Sequence, residues 1–495
     1  MKILVGVDKG SYTFNASGQT VTLSGIPNIS LTQLLLITNV TSNEIIYSPV
    51  ISGKGGSISS NVITLDFNTT SMSNSDDLQI FVHLDEDVTF KYSTDNLDAF
   101  GAMMVNTPIV TFDSSLEFGA DYDSWEYITT TGGSYSYSTF SSTIDLIVGP
   151  TAGSSVIREQ HGYNYYIPGI ASTALMTGVF GASAANVTKR MGVYNDNNGF
   201  YFEQENGVLF VCLRSYSSGI VVTQRFTQSS WNVDRMDGSN SVNNQSGITL
   251  NPSNAQILFF DYQWLGVGRV RYGFIIDGIK YLVHEILNAN NISTTYMGNP
   301  SLPFRYEVFT TGNIGGTSTL KSICASFQSN NNDIPLSRSF SVSNGATSKT
   351  INSGTRTSLI SLRLSSLLEG RNNRTKILLE NIDIITTSNV TTFVEVVLQR
   401  SNKGESNLGG SPTWASVNNS VAEFSVNGTT VTGGSVLWSG YVNSSTRVTQ
   451  VEINTRLDFL ANNWDCSQSD YLHIVCTPIG NNAAMLGAIK YIEVR

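Results

Sequence analysis

The chain has 495 residues and a formal net charge of −10, and only 13% of its residues are charged. That length exceeds one compact core and implies roughly three domains of about 150 residues. No cationic run exceeds Lys189-Arg190, which argues against a nucleic-acid reader, since such proteins need a basic footprint to neutralise phosphates. No stretch approaches the roughly 20 apolar residues of a membrane span, so no membrane insertion is expected. Ser, Thr, Asn and Gly carry the polarity, beside 21 Tyr and 23 Phe. β-branched and aromatic residues suit a pleated, half-buried surface, while Gly and Asn take the φ > 0 positions of tight turns. The expected fold class is all-β, with several antiparallel β-sandwich or jelly-roll-like domains in tandem.

Residues 1–90 read as a small β-sandwich. Its short runs include Tyr12-Thr13-Phe14, Thr20-Val21-Thr22-Leu23 and Leu34-Leu35-Leu36-Ile37, broken by turn residues. Asn61–Phe67 alternates apolar and polar residues, as a strand with one buried face should. The Asp85-Glu86-Asp87 patch that follows is read as a solvated strand end. The apolar run after Met1 is too short for a signal peptide, and synthesis in a cytoplasm is expected.

Residues 91–150 read as a less regular bridging segment. In it, Ser134-Tyr135-Ser136-Tyr137-Ser138 would line one strand face with rings, for packing against another strand or subunit or for stacking on sugars. Residues 151–330 carry the clearest pattern, a central jelly-roll-like sandwich. Ile257–Leu265 forms a long strand ending at Gly266-Val267-Gly268, which leads into another strand and is therefore a turn, not a dinucleotide fingerprint. In the next strand Val270, Tyr272, Phe274 and Ile276 share one face and Arg269 and Arg271 the other. Asp277-Gly278 is a two-residue hairpin signal, and Ile279–Ile286 returns. Residues 331–495 repeat these short strands, best seen at Thr392–Gln399 and Tyr491–Val494, with a helical turn conceivable at Phe459-Leu460-Ala461.

The inventory of reactive residues points away from catalysis, and the expectation is that the protein is not an enzyme and carries no cofactor or metal. His83, His161, His284 and His473 are dispersed and none forms a metal-ligand pair, so structural roles are expected. Cys212, Cys324, Cys466 and Cys476 match no zinc spacing. Cys466 and Cys476 are spaced to face each other across a hairpin, although buried free thiols are expected. The one enzymatic rival is glycan cleavage by two carboxylates. Its candidates are Asp121, Asp123 and Glu126 beside Trp125, with Glu203 or Glu205. Tyr135, Tyr137 and Trp438 are the candidate aromatic platform for a glycan.

Several stretches carry a likeness. Asp98-Ala99-Phe100-Gly101, Val105-Asn106-Thr107-Pro108, Tyr165–Gly169, Lys189–Tyr194, Gln228–Asp234, Asp261–Gly266 and Pro303–Glu307 together resemble structural proteins of tailed bacteriophages. About half the chain is covered well. The resemblance implies a virion protein of the tail, fibre, baseplate or collar, with other virion proteins as partners and residues 1–90 as its particle-docking domain. A trimer or ring is the expected homo-oligomer. A receptor-binding fibre that recognises host surface glycan, or a capsid-decorating head fibre, are the alternatives it leaves open. It carries over no catalytic residue. Ala102-Met103-Met104 stands where the family has Arg-Leu-Arg, which puts any subunit contact made by those arginines in doubt.

Overall fold

The computed structural model describes residues 2–7, 10–26, 29–83, 108–239, 241–330, 337–405, 407–444 and 459–494. Strands dominate, and among the described residues the only helical elements are 3₁₀ turns of three residues. The Asp85-Glu86-Asp87 patch and residues 98–107 of the family likeness lie outside the described residues.

Contacts divide the chain into Met1–Thr94 and Asp95–Arg495. The first unit packs two four-stranded antiparallel sheets. One runs Lys2–Leu4, Leu78–His83, Leu34–Asn39, Glu44–Tyr47; the other runs Ser11–Asn15, Thr20–Ser24, Val62–Leu65, Gly56–Ser59. Alternation puts Val21, Leu23, Ile63 and Leu65 into the core with Ile37, Ile80 and Val82 of the facing sheet.

The second unit holds two sandwiches, each with its own core. In the first, a seven-stranded sheet runs Trp125–Thr129, Ser155–Gln160, Phe304–Thr310, Val187–Tyr194, Gly199–Glu205, Val208–Ser215, Val222–Thr227. It faces an eight-stranded sheet built on Gly133–Ser138, Thr143–Val148, Ser318–Ser329, Ser172–Val179, Gln256–Tyr262, Val270–Ile276 and Ile279–Ile286, with Ile109–Ser114 pairing Ser318–Ser329. Val270, Tyr272 and Phe274 enter the core as their alternation requires. Asp277 and Gly278 both have positive φ, 52° and 81°, which matches the right-handed twist of the two strands they join.

Residues 108–150, read from sequence as a bridge, supply four strands to these two sheets. They look irregular because Trp125–Thr129 and Gly133–Ser138 are outer strands, each with one partner, and so lack a continuous apolar pattern.

The last sandwich pairs a five-stranded sheet, centred on Lys376–Thr386 and Ala483–Val494, with a six-stranded one. The latter runs Ala415–Ser416, Ala422–Ser425, Thr357–Leu364, Tyr471–Pro478, Thr392–Gln399, Ser435–Val442. Phe459–Leu460 is a short strand here, not the helical turn conceivable from sequence: Leu460 pairs with Ile377 and is fully buried. All four cysteines are free, and Cys212, Cys466 and Cys476 are buried.

Candidate functional site

Where the last two sandwiches meet, four charged side chains close into a buried joint. His161 follows the strand Ser155–Gln160, and Glu126 lies on the adjacent strand. Asp470 immediately precedes Tyr471–Pro478, and Arg400 follows Thr392–Gln399. His161 Nδ1 lies 2.6 Å from Glu126 Oε1, and its Nε2 lies 2.9 Å from Asp470 Oδ2. Both ring nitrogens therefore face carboxylates, which calls for the imidazolium, the form in which both donate. Burial opposes that charge, but Asp470 and Glu126 outweigh it and raise His161 to about 9.

Asp470 also accepts from Arg400 Nη1 at 2.9 Å, from the Ser401 backbone at 2.8 Å and hydroxyl at 2.9 Å, and from the Ala461 backbone at 3.1 Å. Burial works against its charge, yet His161 and Arg400 prevail and hold the carboxyl far below its ordinary range. Two cations and two anions make the joint neutral, so excluding water leaves no net charge behind. Around it Trp464 N donates to Glu126 at 2.9 Å, Asn402 Nδ2 donates to the Tyr122 carbonyl at 2.9 Å, and Lys403 pairs with Asp123. Gly162, at φ +90°, allows the close approach: a Cβ there would lie 2.4 Å from the Phe459 ring.

Beside the joint opens a cavity of about 510 Å³, lined by Phe112, Asp113, Asp121 and Asp123 on one side and Lys376, Arg400 and Phe459 on the other, with His161 in its wall. Asp121 accepts from Ser114 Oγ at 2.5 Å, and Ser114 in turn accepts from Trp125 Nε1 at 2.8 Å. Burial pushes the Asp121 carboxyl up. Lys376 Nζ stands 4.3 Å from the centre of the Phe459 ring, and Arg400 lies 5.0 Å from the same ring. Burial, with Arg400 nearby, lowers the lysine to about 7. An amine that is half neutral near pH 7 and a carboxyl raised toward it give this cavity groups able to bind or exchange protons.

Of the acids singled out in the sequence, Asp121 and Asp123 line this cavity, whereas Glu126 is turned into the joint. Glu203 and Glu205 lie elsewhere, on the outer face of the seven-stranded sheet. There register makes a row: Glu159 faces Arg305, and Glu307 faces Arg190, which faces Glu203. Arg190 donates to Glu203 at 2.6 Å and to Glu307 at 3.1 Å. Arg225 pairs with both Glu203 and Glu205.

The aromatic platform is not assembled. Tyr135 stacks on Tyr127, ring centres 4.1 Å apart, and keeps 38% of its surface exposed. Tyr137 packs on the core and donates to the Leu116 carbonyl at 2.7 Å, and Trp438 packs on the core of the other sandwich. His284 and His473 are structural. The first accepts from Asn232 N, and burial lowers it to about 4. The second sits between Ser361 and Gln399, and burial with Arg356 lowers it to about 3. Among the described residues no group of His, Cys, Asp or Glu has the arrangement of a metal site.

No protein-family model matches the chain, and no curated protein does. Solved structures similar to it include a protein of unknown function from Shewanella oneidensis, at 9% identity over 48% of this chain and 90% of that one, TM-score 0.31. A legume lectin-like domain from Entamoeba histolytica matches at 8% identity over 45% and 98%, TM-score 0.27. A beta-1,3-glucanase from Mycobacterium marinum matches at 10% over 45% and 100%, TM-score 0.29. At such scores the likeness assigns no function, and the all-β sandwich architecture rests on the sheets described above.

Proposed function

We propose that the chain is a non-enzymatic structural component of a tailed-phage virion, of the tail, fibre, baseplate or collar type. The observation that favours this reading is the joint. Glu126, His161, Asp470 and Arg400 bolt two sandwiches together through a closed, neutral ion network, a construction suited to a rigid external part rather than to an enzyme that opens and closes. The candidate acids outside the cavity are held by arginines or by His161, which leaves no free carboxylate pair there for glycan cleavage. The family resemblance names the particle, and it is the only support for a phage. Homo-oligomerisation and docking through residues 1–90 belong to the same reading.

The test is protein mass spectrometry of gradient-purified particles, joined to a deletion of residues 1–90. The protein should be a stoichiometric constituent, and the deletion should abolish its incorporation. Its absence from purified particles sinks the proposal; incorporation of the truncated protein moves docking elsewhere.

A receptor-binding fibre is the second reading. Phe118 and Phe140 favour it, because their rings are almost wholly exposed, at 93% and 103%. Purified protein should then compete with infection, and failure to compete at high concentration counts against it.

A further inference from the structure

A second cavity, of about 480 Å³, lies within the last sandwich. It is enclosed by the end of Thr357–Leu364, the hairpin Leu367–Leu368/Arg371–Asn372, and the loop that carries Asn462–Ser469. Its volume falls in the range of small-molecule sites. Its lining is unusual in being rich in hydroxyl and amide groups: Ser366, Ser416, Ser467, Gln468 and Asn462 face it, with Leu367, Leu368 and Ala422 as apolar surface.

The one cation among the lining residues is paired. Arg363 Nε donates to Glu423 at 2.8 Å and its Nη2 lies 2.7 Å from the same oxygen, while the guanidinium rests 4.2 Å from the Trp414 ring centre. Glu369, at the exposed hairpin turn, adds a negative charge. A phosphate or carboxylate would find no unpaired cation among these lining residues.

The orphan group is Asn462. The side chain is 5% exposed, and its Nδ2 donates to the carbonyls of Ser365 and Asn373, both at 3.0 Å. Those two bonds fix which way the amide points. Its Oδ1 is then a buried acceptor with no protein donor. The atom has essentially no accessible surface, so Asn462 stiffens the polar wall of the cavity without reaching a ligand. A hydroxyl-rich, uncharged ligand with apolar C–H faces matches this lining.

We propose that this cavity is a binding site for a neutral oligosaccharide, whose hydroxyls are met by the serines and Gln468 and whose C–H faces lie on Leu367 and Leu368. The site does not depend on where the protein sits in a particle. The probes are hexasaccharides of α-1,4-glucose, β-1,3-glucose and β-1,4-N-acetylglucosamine, with a hexamer of galacturonic acid as the charged comparator, titrated calorimetrically into the full chain. At least one neutral hexasaccharide should bind, and the acidic one should bind more weakly.

Ser366→Trp and Ser467→Trp, both at exposed rim positions, should each weaken binding by about tenfold or more. They should leave the thermal midpoint unchanged, and Ser366→Ala should have a smaller effect. Failure of all three neutral probes at millimolar concentration overturns the proposal. So does preference for the acidic hexamer, or binding that survives both tryptophans in variants that melt like the parent. Particle incorporation of the same variants is a separate readout, so loss of the site and loss of the structural role can be told apart.

Discussion

The joint and the outer row use the same ingredients, buried arginines and carboxylates, in opposite ways. The row draws its members from neighbouring strands in register, so its arginines each hold two or more carboxylates: Arg190 touches Glu203 and Glu307, while Arg305 touches Glu159, Glu307 and Asp196. The joint draws on segments more than 300 residues apart and channels five donors onto one carboxylate, Asp470. Redundancy makes the row tolerant. Convergence makes the joint brittle, and it places a titratable imidazole where the row has only guanidinium.

The largest effect should follow Asp470→Ala. It removes one of the two carboxylates that face the His161 ring and the carboxylate that pairs with Arg400, and breaking a buried pair in this way costs about 3–5 kcal/mol. Urea unfolding of the full chain checks it. A loss below about 1 kcal/mol would mean that the joint holds no more than a surface ion pair does.

Glu307→Gln probes the row. Arg190 keeps Glu203, Arg305 keeps Glu159 and Asp196, and only charge-assisted bonds are weakened, including one from Tyr194 at 3.1 Å. The expected loss is about 1–3 kcal/mol. If it exceeded the Asp470→Ala loss, the contrast between a tolerant row and a brittle joint would be reversed.

pH separates the two groups around the cavity by sign. His161 is raised to about 9 from an ordinary 6.5, so the folded state binds the extra proton between those values. Its contribution is complete below pH 6.5 and is lost as pH rises through 9. Lys376 is lowered from 10.5 to about 7, so the unfolded state holds the extra proton and stability climbs with pH across that window. The slopes oppose each other in the parent. Relative to the parent, His161→Gln should turn the slope of stability between pH 7 and 9 upward, and Lys376→Met should turn it downward. Identical slopes in both variants would deny either group its assigned role.

The two regions also differed in how much could be read before the fold. Strand alternation such as Val270-Tyr272-Phe274 and the Asp277-Gly278 turn are local patterns, and the sandwich follows from them. Asp121, Asp123 and Glu126 stood out because they cluster around Trp125. The sequence could not divide them between a cavity and a joint, because that division depends on Lys403, Trp464 and Asp470 arriving from the far sandwich. His161 looked like one dispersed histidine for the same reason. The row was hidden more subtly: Arg190 and Glu203 are 13 residues apart, but whether they face each other depends on a register that only the intervening turn decides.

The smallest expected effect is the one that follows each region separately. Reductant should not shift the thermal midpoint, since all four thiols are free. Two buried thiols report locally. Cys212 lies on the face of the row, opposite Tyr201 and Arg225 in register, and burial with Glu203 beside it pushes the thiol up to about 12. Cys466 sits in the loop that leads to Asp470, where burial likewise raises it. Both should label slowly in the native protein, because the thiolate is scarce and covered, whereas exposed Cys324 should react at once. Asp470→Ala should speed labelling of Cys466 and leave Cys212 slow; Glu307→Gln should do the reverse, and more weakly. If either substitution accelerated both thiols equally, row and joint would open as one cooperative unit, and their difference in construction would carry no difference in local stability.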